Sequence, residues 1–197
     1  MHDERQPQSS TSNVSGTNGG RGFAANPIDR IVAEHKLQLE LCDALEFIAD
    51  GLPDSVDRRL VRQVTAILER GLSPHFRVEE QFLFPMLRRL GARDPSLLAA
   101  LDQLELEHLR DDDISSELLD ELQILAETGQ VRNADMLGYM LRFFFEGQRR
   151  HIAWENSVVV PAARRLLGET ELQELMSRQQ AFPDRLWQIS GVKPARA

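Results

Sequence analysis

Two segments of the chain place a histidine and a glutamate one helical turn apart. Both follow the pattern G-x3-H-x3-E-x5-P-x2-R-R-L, with His75 and Glu79 in the first copy and His151 and Glu155 in the second. Residues four apart on an α-helix lie on one face, with Cβ atoms roughly 5–6 Å apart. Each pair can therefore bind one metal centre from a single helix. Imidazole combined with carboxylate is a ligand mixture typical of iron, manganese or zinc rather than calcium.

A further histidine precedes each copy at a similar distance, and only His2 among the five histidines lies outside this arrangement. Apolar residues surround the glutamates in the sequence, and an ionised carboxylate in such surroundings is costly unless a cation pairs with it. We therefore predict that four helices each contribute one histidine to a pair of metal ions, which two glutamates bridge. This ligand set comprises His35, His75, Glu79, His108, His151 and Glu155.

The spacing of apolar residues predicts an all-α protein without strands. Four long helices are expected at about 27–50, 55–90, 96–128 and from 133 or 135 to 167, followed by a short amphipathic helix at 169–180. Short connections between long helices favour an antiparallel, up-down-up-down four-helix bundle, here with a short extra C-terminal helix. The Ser73-Pro74 step predicts a kink just before His75, and two separate helices meeting there are the alternative.

The bundle is expected to occupy residues 27–180 as one domain. Residues 1–26 are rich in Ser, Thr, Asn, Gly and Gln, so they bury too little apolar surface to fold and are predicted to be disordered. Residues 181–197 are predicted to be a C-terminal tail.

Composition narrows the classes of partner and compartment. The formal net charge of −8 argues against a nucleic-acid partner, since phosphates attract clustered Lys and Arg. No apolar run approaches the roughly 18 residues that would span a bilayer, and no secretory signal is evident, so no membrane association is expected. The single cysteine, Cys42, suits a reducing compartment. These features predict a cytoplasmic protein.

Three further residues are predicted to line a pocket beside the metals. Gly71 and Gly147 each lie one turn before the histidine of their copy, and glycine in a helix interior costs about 1 kcal/mol relative to alanine. The missing Cβ atoms leave room for a close helix approach or for a small ligand. Trp154, three residues after His151, either packs in the core or shields the metals.

The chain resembles the hemerythrin-like (HHE cation-binding) domain family over about residues 27–167. The resemblance is carried by His35, by the run HFRVEEQFLFP at 75–85, by His108 and by HIAWE at 151–155. It implies a four-helix bundle around a non-haem di-iron centre, with two iron ions joined by an oxo or hydroxo bridge. The histidines would be terminal ligands and Glu79 and Glu155 the bridging carboxylates, with manganese or zinc as alternative metals.

The chain departs from the oxygen-carrying members of that family. Those proteins have another histidine where this chain has Asp112, and an aspartate where it has Glu155. Asp112 is either an extra ligand or, with its two neighbours, part of a solvated helix face. The four-His, two-Glu arrangement is more similar to proteins that repair iron centres, in which an acid equivalent to Glu107 lines a route to the metals. Otherwise Glu107 lies on the surface or beside a ligand.

The resemblance implies a di-iron protein that binds or reduces a small oxidant, namely oxygen, peroxide or nitric oxide, during oxidative or nitrosative stress. Whether such a protein turns over as an enzyme stays open at this point. Two alternatives are an iron donor or store for the repair of iron–sulfur centres, and a redox or oxygen sensor. A bundle stabilised by zinc is the inert alternative.

Overall fold

The computed structural model describes residues 26–69 and 72–181, and their regular structure is entirely helical. The predicted N-terminal and C-terminal tails lie outside the described residues, apart from Asn26 and Ala181, and so does Gly71. Within the parts of the chain that the structure describes, every helix is too short or too polar to cross a membrane.

The helices follow the predicted order, with two π-helical turns inserted among them. The α-helices are α1 (Pro27–Gly51), α2 (Arg58–Leu68), α3 (Ser73–Val78), α4 (Phe84–Leu90), α5 (Pro95–Thr128), α6 (Ala134–Trp154), α7 (Val160–Leu166) and α8 (Glu169–Ala181). The first π turn is Glu79–Leu83 and the second is Glu155–Val159.

Capping residues explain where the helices begin and end. The Asn26 side chain accepts a hydrogen bond from the Ile28 amide at 2.9 Å, and Asn133, not Asp135, caps α6 by accepting from the Met136 amide at 3.0 Å. Such side chains satisfy amide groups that have no partner in the first turn. Gly129 ends α5 with a φ of 74°, a left-handed conformation that glycine adopts without steric cost.

The long second helix predicted from the sequence is two helices, which was the alternative. The helix α2 ends at Leu68, and α3 begins at Ser73 with Pro74 in its first turn. Proline is well tolerated there, because the amide it lacks would have no intrahelical partner. Consequently His75 lies near the start of a new helix rather than beyond a kink.

A π turn follows the histidine of each sequence copy and begins at its glutamate. In the first copy the Phe84 amide donates to the carbonyl of Glu79, five residues earlier, and the second copy repeats the arrangement. Pro85 and Pro161 lie two residues after the last residue of these turns, at the second position of α4 and α7. Proline cannot make the regular helical hydrogen bond and crowds the carbonyl four residues before it. The extra residue in each turn accommodates the proline while the chain continues as a helix.

Long-range contacts define the neighbours of each helix. The helix α1 packs against α2 and α6, and α5 packs against the same two helices. The ion pairs Asp43–Arg149 and Asp50–Arg142, both at 2.7 Å, show that α1 and α6 run antiparallel, because one residue number rises as the other falls.

Two apolar clusters fill the interior, and polar residues separate them. The first cluster contains the C-terminal half of α1 with α2, the end of α5 and the start of α6. The second contains the start of α1 and of α5 together with α4, α7 and α8. Between them the ligand set crosses the core, for example at His108, which lies between Leu104 of the second cluster and Leu118 of the first.

Candidate metal centre

The ligand set converges in the polar layer between the two apolar clusters. Its members form two groups, and the ligand atoms within each group lie within 4.8 Å of one another. Every side chain of the set is at most 3% exposed. The first group is His35, His75, Glu79 and Glu155, and the second is His108, His151 and Glu155.

Glu155 faces both groups with different oxygens. Its Oε2 lies 3.0 Å from Nε2 of His35, and its Oε1 lies 3.4 Å from Nε2 of His151. This is the orientation that a carboxylate needs to bridge two ions.

Glu79 spans the two groups in the same way, although less closely. Its Oε1 lies 3.3 Å from Nε2 of His75, and its Oε2 lies 3.6 Å from Nε2 of His108. These distances define two candidate metal positions, one beside His35 and His75 and the other beside His108 and His151. Each position faces two imidazole nitrogens and one oxygen from each glutamate.

Buried atoms at the centre lack the partners that such burial requires. Both carboxylate oxygens of Glu79 and of Glu155 have no hydrogen-bond partner among the described residues, and neither does Nε2 of His35 or His75. Each unsatisfied buried polar group costs about 1–3 kcal/mol, and charged groups cost more. Nitrogen and carboxylate donors in this number fit a pair of transition-metal cations, which would satisfy these atoms together.

The other ring nitrogen of each histidine in the ligand set already has a hydrogen-bond partner. Each Nδ1–H donates to an acceptor on another helix, which leaves the Nε2 lone pair free for a metal. We call these four acceptors the acceptor ring. Its bonds run from His35 to Asn156 Oδ1 (2.9 Å), from His75 to Glu34 Oε2 (2.7 Å), from His108 to Glu80 Oε1 (2.8 Å) and from His151 to Glu107 Oε2 (3.0 Å).

The imidazole of His108 also stacks with two phenyl rings. Phe76 stacks on it with centroids 4.0 Å apart, and Phe84 stacks at 5.9 Å. Its Nε2 lies 3.1 Å from Nε2 of His151, and two such lone pairs require a proton or a cation between them. The aromatic contacts restrain the ring plane and place apolar surface beside His108.

Burial and charge set the protonation of the metal-free centre. Burial lowers the pKa of His35, but the adjacent carboxylates of Glu155 and Glu79 outweigh it and raise the pKa to about 10. Burial also lowers the pKa of His151, but hydrogen bonds to Glu107 and Glu155 outweigh this effect and raise the pKa to about 10. Burial lowers the pKa of His108 to about 3, so this imidazole is neutral at pH 7.

The two central carboxylates have opposite shifts. Burial and the charge of Glu155 raise the pKa of Glu79. Burial also disfavours ionised Glu155, but His151 and His35 overcome this and hold its pKa well below the usual range. Without metal, protons on the histidines balance the negative charge; bound cations would take their place.

The acidic residues near His108 have three different environments. Glu107 is 5% exposed and belongs to the acceptor ring, whereas Asp112 is exposed and lies in neither ligand group. Asp111, expected on a solvated face, is buried and accepts a hydrogen bond from Gln148 at 2.7 Å, so that expectation is wrong. Inward positions on α5 alternate by three and four residues, which turns Asp111 inward and Asp112 outward.

The predicted pocket residues that the structure describes, Gly147 and Trp154, lie in different surroundings. A Cβ atom added to buried Gly147 would meet nothing within 4 Å, so space rather than a close helix approach surrounds this position. Trp154 is half-buried and packs against the second apolar cluster.

Gln38 is a residue that the sequence reasoning missed. It lies on α1 three residues after His35 and is 2% exposed, and neither amide atom has a hydrogen-bond partner among the described residues. The available signal was a polar residue inside the apolar stripe of this helix. For the acceptor ring the signal was adjacency, because each of its members neighbours a ligand in the sequence.

Comparison with known proteins identifies the family of the chain. A family model described as the hemerythrin HHE cation-binding domain matches residues 26–163, a range that contains the whole ligand set and the acceptor ring. A search of curated proteins found no significant match. The chain belongs to the hemerythrin HHE cation-binding domain family.

Proposed function

We propose that this protein is a di-iron protein that binds or reduces a small oxidant, namely oxygen, peroxide or nitric oxide. The observation that carries the proposal is the pair of buried glutamates whose oxygens face two histidine pairs. In each position, two imidazoles and two carboxylate oxygens would hold one ion. When bound, the irons would supply redox chemistry and a coordination position for a small ligand.

The fold and location predicted from the sequence belong to this proposal. Residues 27–180 would form an up-down-up-down four-helix bundle, supported by the antiparallel pairing of α1 with α6 and by the neighbours of α5. A cytoplasmic location, where thiols stay reduced, is consistent with buried and unpaired Cys42, the single cysteine of the chain.

The surroundings of the centre suit a reactive ligand. Apolar clusters lie on both sides of the ligand set, and the phenyl rings beside His108 complete a dry environment. Excluding water strengthens electrostatic interactions within such a site and limits side reactions. The acceptor ring keeps the imidazoles oriented, so that the ligand geometry does not depend on the incoming molecule.

Gln38 is the residue best placed to donate a hydrogen bond to such a ligand. Residues three apart share a helix face, so its Cβ lies about 5–6 Å from that of His35. Its amide is buried without a partner among the described residues. The space beside Gly147, one turn before His151, leaves room for a small molecule on the neighbouring helix.

Anaerobic reconstitution followed by rapid mixing tests the proposal. We expect two irons per chain by metal analysis and a change in optical absorption when the reduced protein meets oxygen, peroxide or nitric oxide. Failure to bind iron, or no reaction with any of the three, would overturn it. Rapid loss of iron to an apo-protein that accepts iron–sulfur clusters, without reaction with oxidants, would instead support the iron-donor alternative.

A variant of Gln38 tests the ligand-binding part separately. Gln38→Leu should keep two irons but weaken binding of the reactive ligand about fivefold, since a hydrogen bond is worth about 1 kcal/mol. Gln173→Leu, the same change at an exposed position on α8, is the matched control. Equal ligand affinities in the two variants would exclude Gln38 from the pocket.

A further inference from the structure

The acceptor ring closes on itself around the bundle. Every acceptor is the sequence neighbour of one ligand and binds the histidine of another helix. A residue of α1 supports α3, the first π turn supports α5, a residue of α5 supports α6, and the second π turn supports α1. The acceptors in that order are Glu34, Glu80, Glu107 and Asn156.

One member of the ring differs in charge. Glu34, Glu80 and Glu107 are carboxylates with side chains that are 12%, 36% and 6% exposed, whereas Asn156 is a neutral amide on an exposed residue. A carboxylate that accepts from the remote nitrogen of a metal-binding histidine raises the basicity of that ligand. A neutral amide orients the ring equally well but donates less charge.

We propose that Asn156 makes the two metal positions unequal, so that the ion held by His35 and His75 is bound more weakly than the ion held by His108 and His151. The inference rests on the metal centre of the proposed function, but not on its reaction with oxidants. The first position has one carboxylate in its part of the acceptor ring, and the second has two.

The remaining ligands make this a controlled comparison within one molecule. Both positions face two imidazoles and share Glu79 and Glu155, so the groups beyond the ligands are the clearest difference in charge. The distances of the ligands favour tighter binding at the first position instead, because Glu79 lies within 4.8 Å of the whole first group but not of the second. Measured affinities decide between the two effects, since loss of such a supporting group typically changes metal affinity by 10–100-fold.

Titration of the metal-free protein with cobalt(II), against a competing chelator, measures the two binding steps. Asn156→Asp should raise the weaker of the two constants by about tenfold and leave the stronger one unchanged. Glu107→Gln, which removes a carboxylate from the other position, should lower the stronger constant by a similar factor. Ser157→Asp, which adds the same charge at the next exposed residue, is the matched control and should change neither constant.

Circular dichroism shows whether each variant is folded. For any variant that needs metal to fold, chelator-driven loss of cobalt from the loaded protein reports the same order of affinities. Unchanged constants in Asn156→Asp, an equal effect of Ser157→Asp, or a reversed pattern in which Glu107→Gln lowers the weaker constant would each overturn the inference. Two bound ions with such a result would leave the metal centre intact, whereas no bound ion would remove the proposed function itself.

Discussion

The two copies of the repeated pattern, residues 71–90 and 147–166, share one local arrangement of histidine, glutamate and proline but lie in different surroundings. Each places a histidine and a glutamate toward the centre, enters a π turn at the glutamate and continues past a proline. The first copy begins a new helix at Ser73, while the second continues the long helix α6. The residue after the glutamate is Glu80 in one copy and Asn156 in the other. The shared residues place the candidate ligands, whereas Glu80 and Asn156 give the two copies different acceptors for the histidines of other helices.

The largest expected effect distinguishes Glu79 from Glu155, the two glutamates that we propose as bridging ligands. Glu155 belongs to both ligand groups and approaches its histidines at 3.0 and 3.4 Å, whereas the corresponding distances for Glu79 are 3.3 and 3.6 Å. Glu155→Gln should therefore weaken metal binding by more than about 100-fold, beyond the range for supporting groups, and by more than Glu79→Gln does. Metal content after dialysis against a graded chelator series measures both. Equal losses would show that the copies contribute equally.

An intermediate effect is expected at Gly147, the glycine of the second copy. Because a Cβ atom has space there, Gly147→Ala should raise the free energy of unfolding by about 1 kcal/mol, the helix-propensity difference. Gly147→Leu fills the same space and should in addition lower the affinity for the oxidant. Urea unfolding and rapid mixing measure the two properties. Destabilisation by alanine, or unaltered ligand affinity with leucine, would contradict the assignment of this space to a ligand.

The smallest effect is expected at the prolines of the two copies. Proline in a regular helix interior costs about 3 kcal/mol relative to alanine. If the π turns accommodate Pro85 and Pro161, replacing either with alanine should raise the free energy of unfolding by less than about 1 kcal/mol. Thermal unfolding of both variants, compared with the parent protein, tests the copies against each other. A gain near 3 kcal/mol in one copy would show that its π turn does not relieve the proline.

Much of the helical framework is readable from local signals. The caps Asn26 and Asn133 and the C-terminal Gly129 mark helix boundaries because their chemistry acts within a few residues. Local signals do not decide between a kink and two helices before His75, since a Ser-Pro step allows both. The π turns were not predicted from the sequence, because their hydrogen bonds differ from those of an α-helix by a single residue. The spacing from glutamate to proline, which is the same in both copies, was the available signal.

The sequence by itself determined the family and predicted a ligand set repeated at helical spacing, because residues four apart share a helix face wherever the helix lies. Only the tertiary structure decided which carboxylate meets which histidine, that Asp111 turns inward while Asp112 does not, and that Gln38 is buried without a partner among the described residues. It also revealed the acceptor ring, with Asn156 as its one neutral member. These relations join residues on different helices, so they depend on helix rotation and register, which packing of the whole core sets.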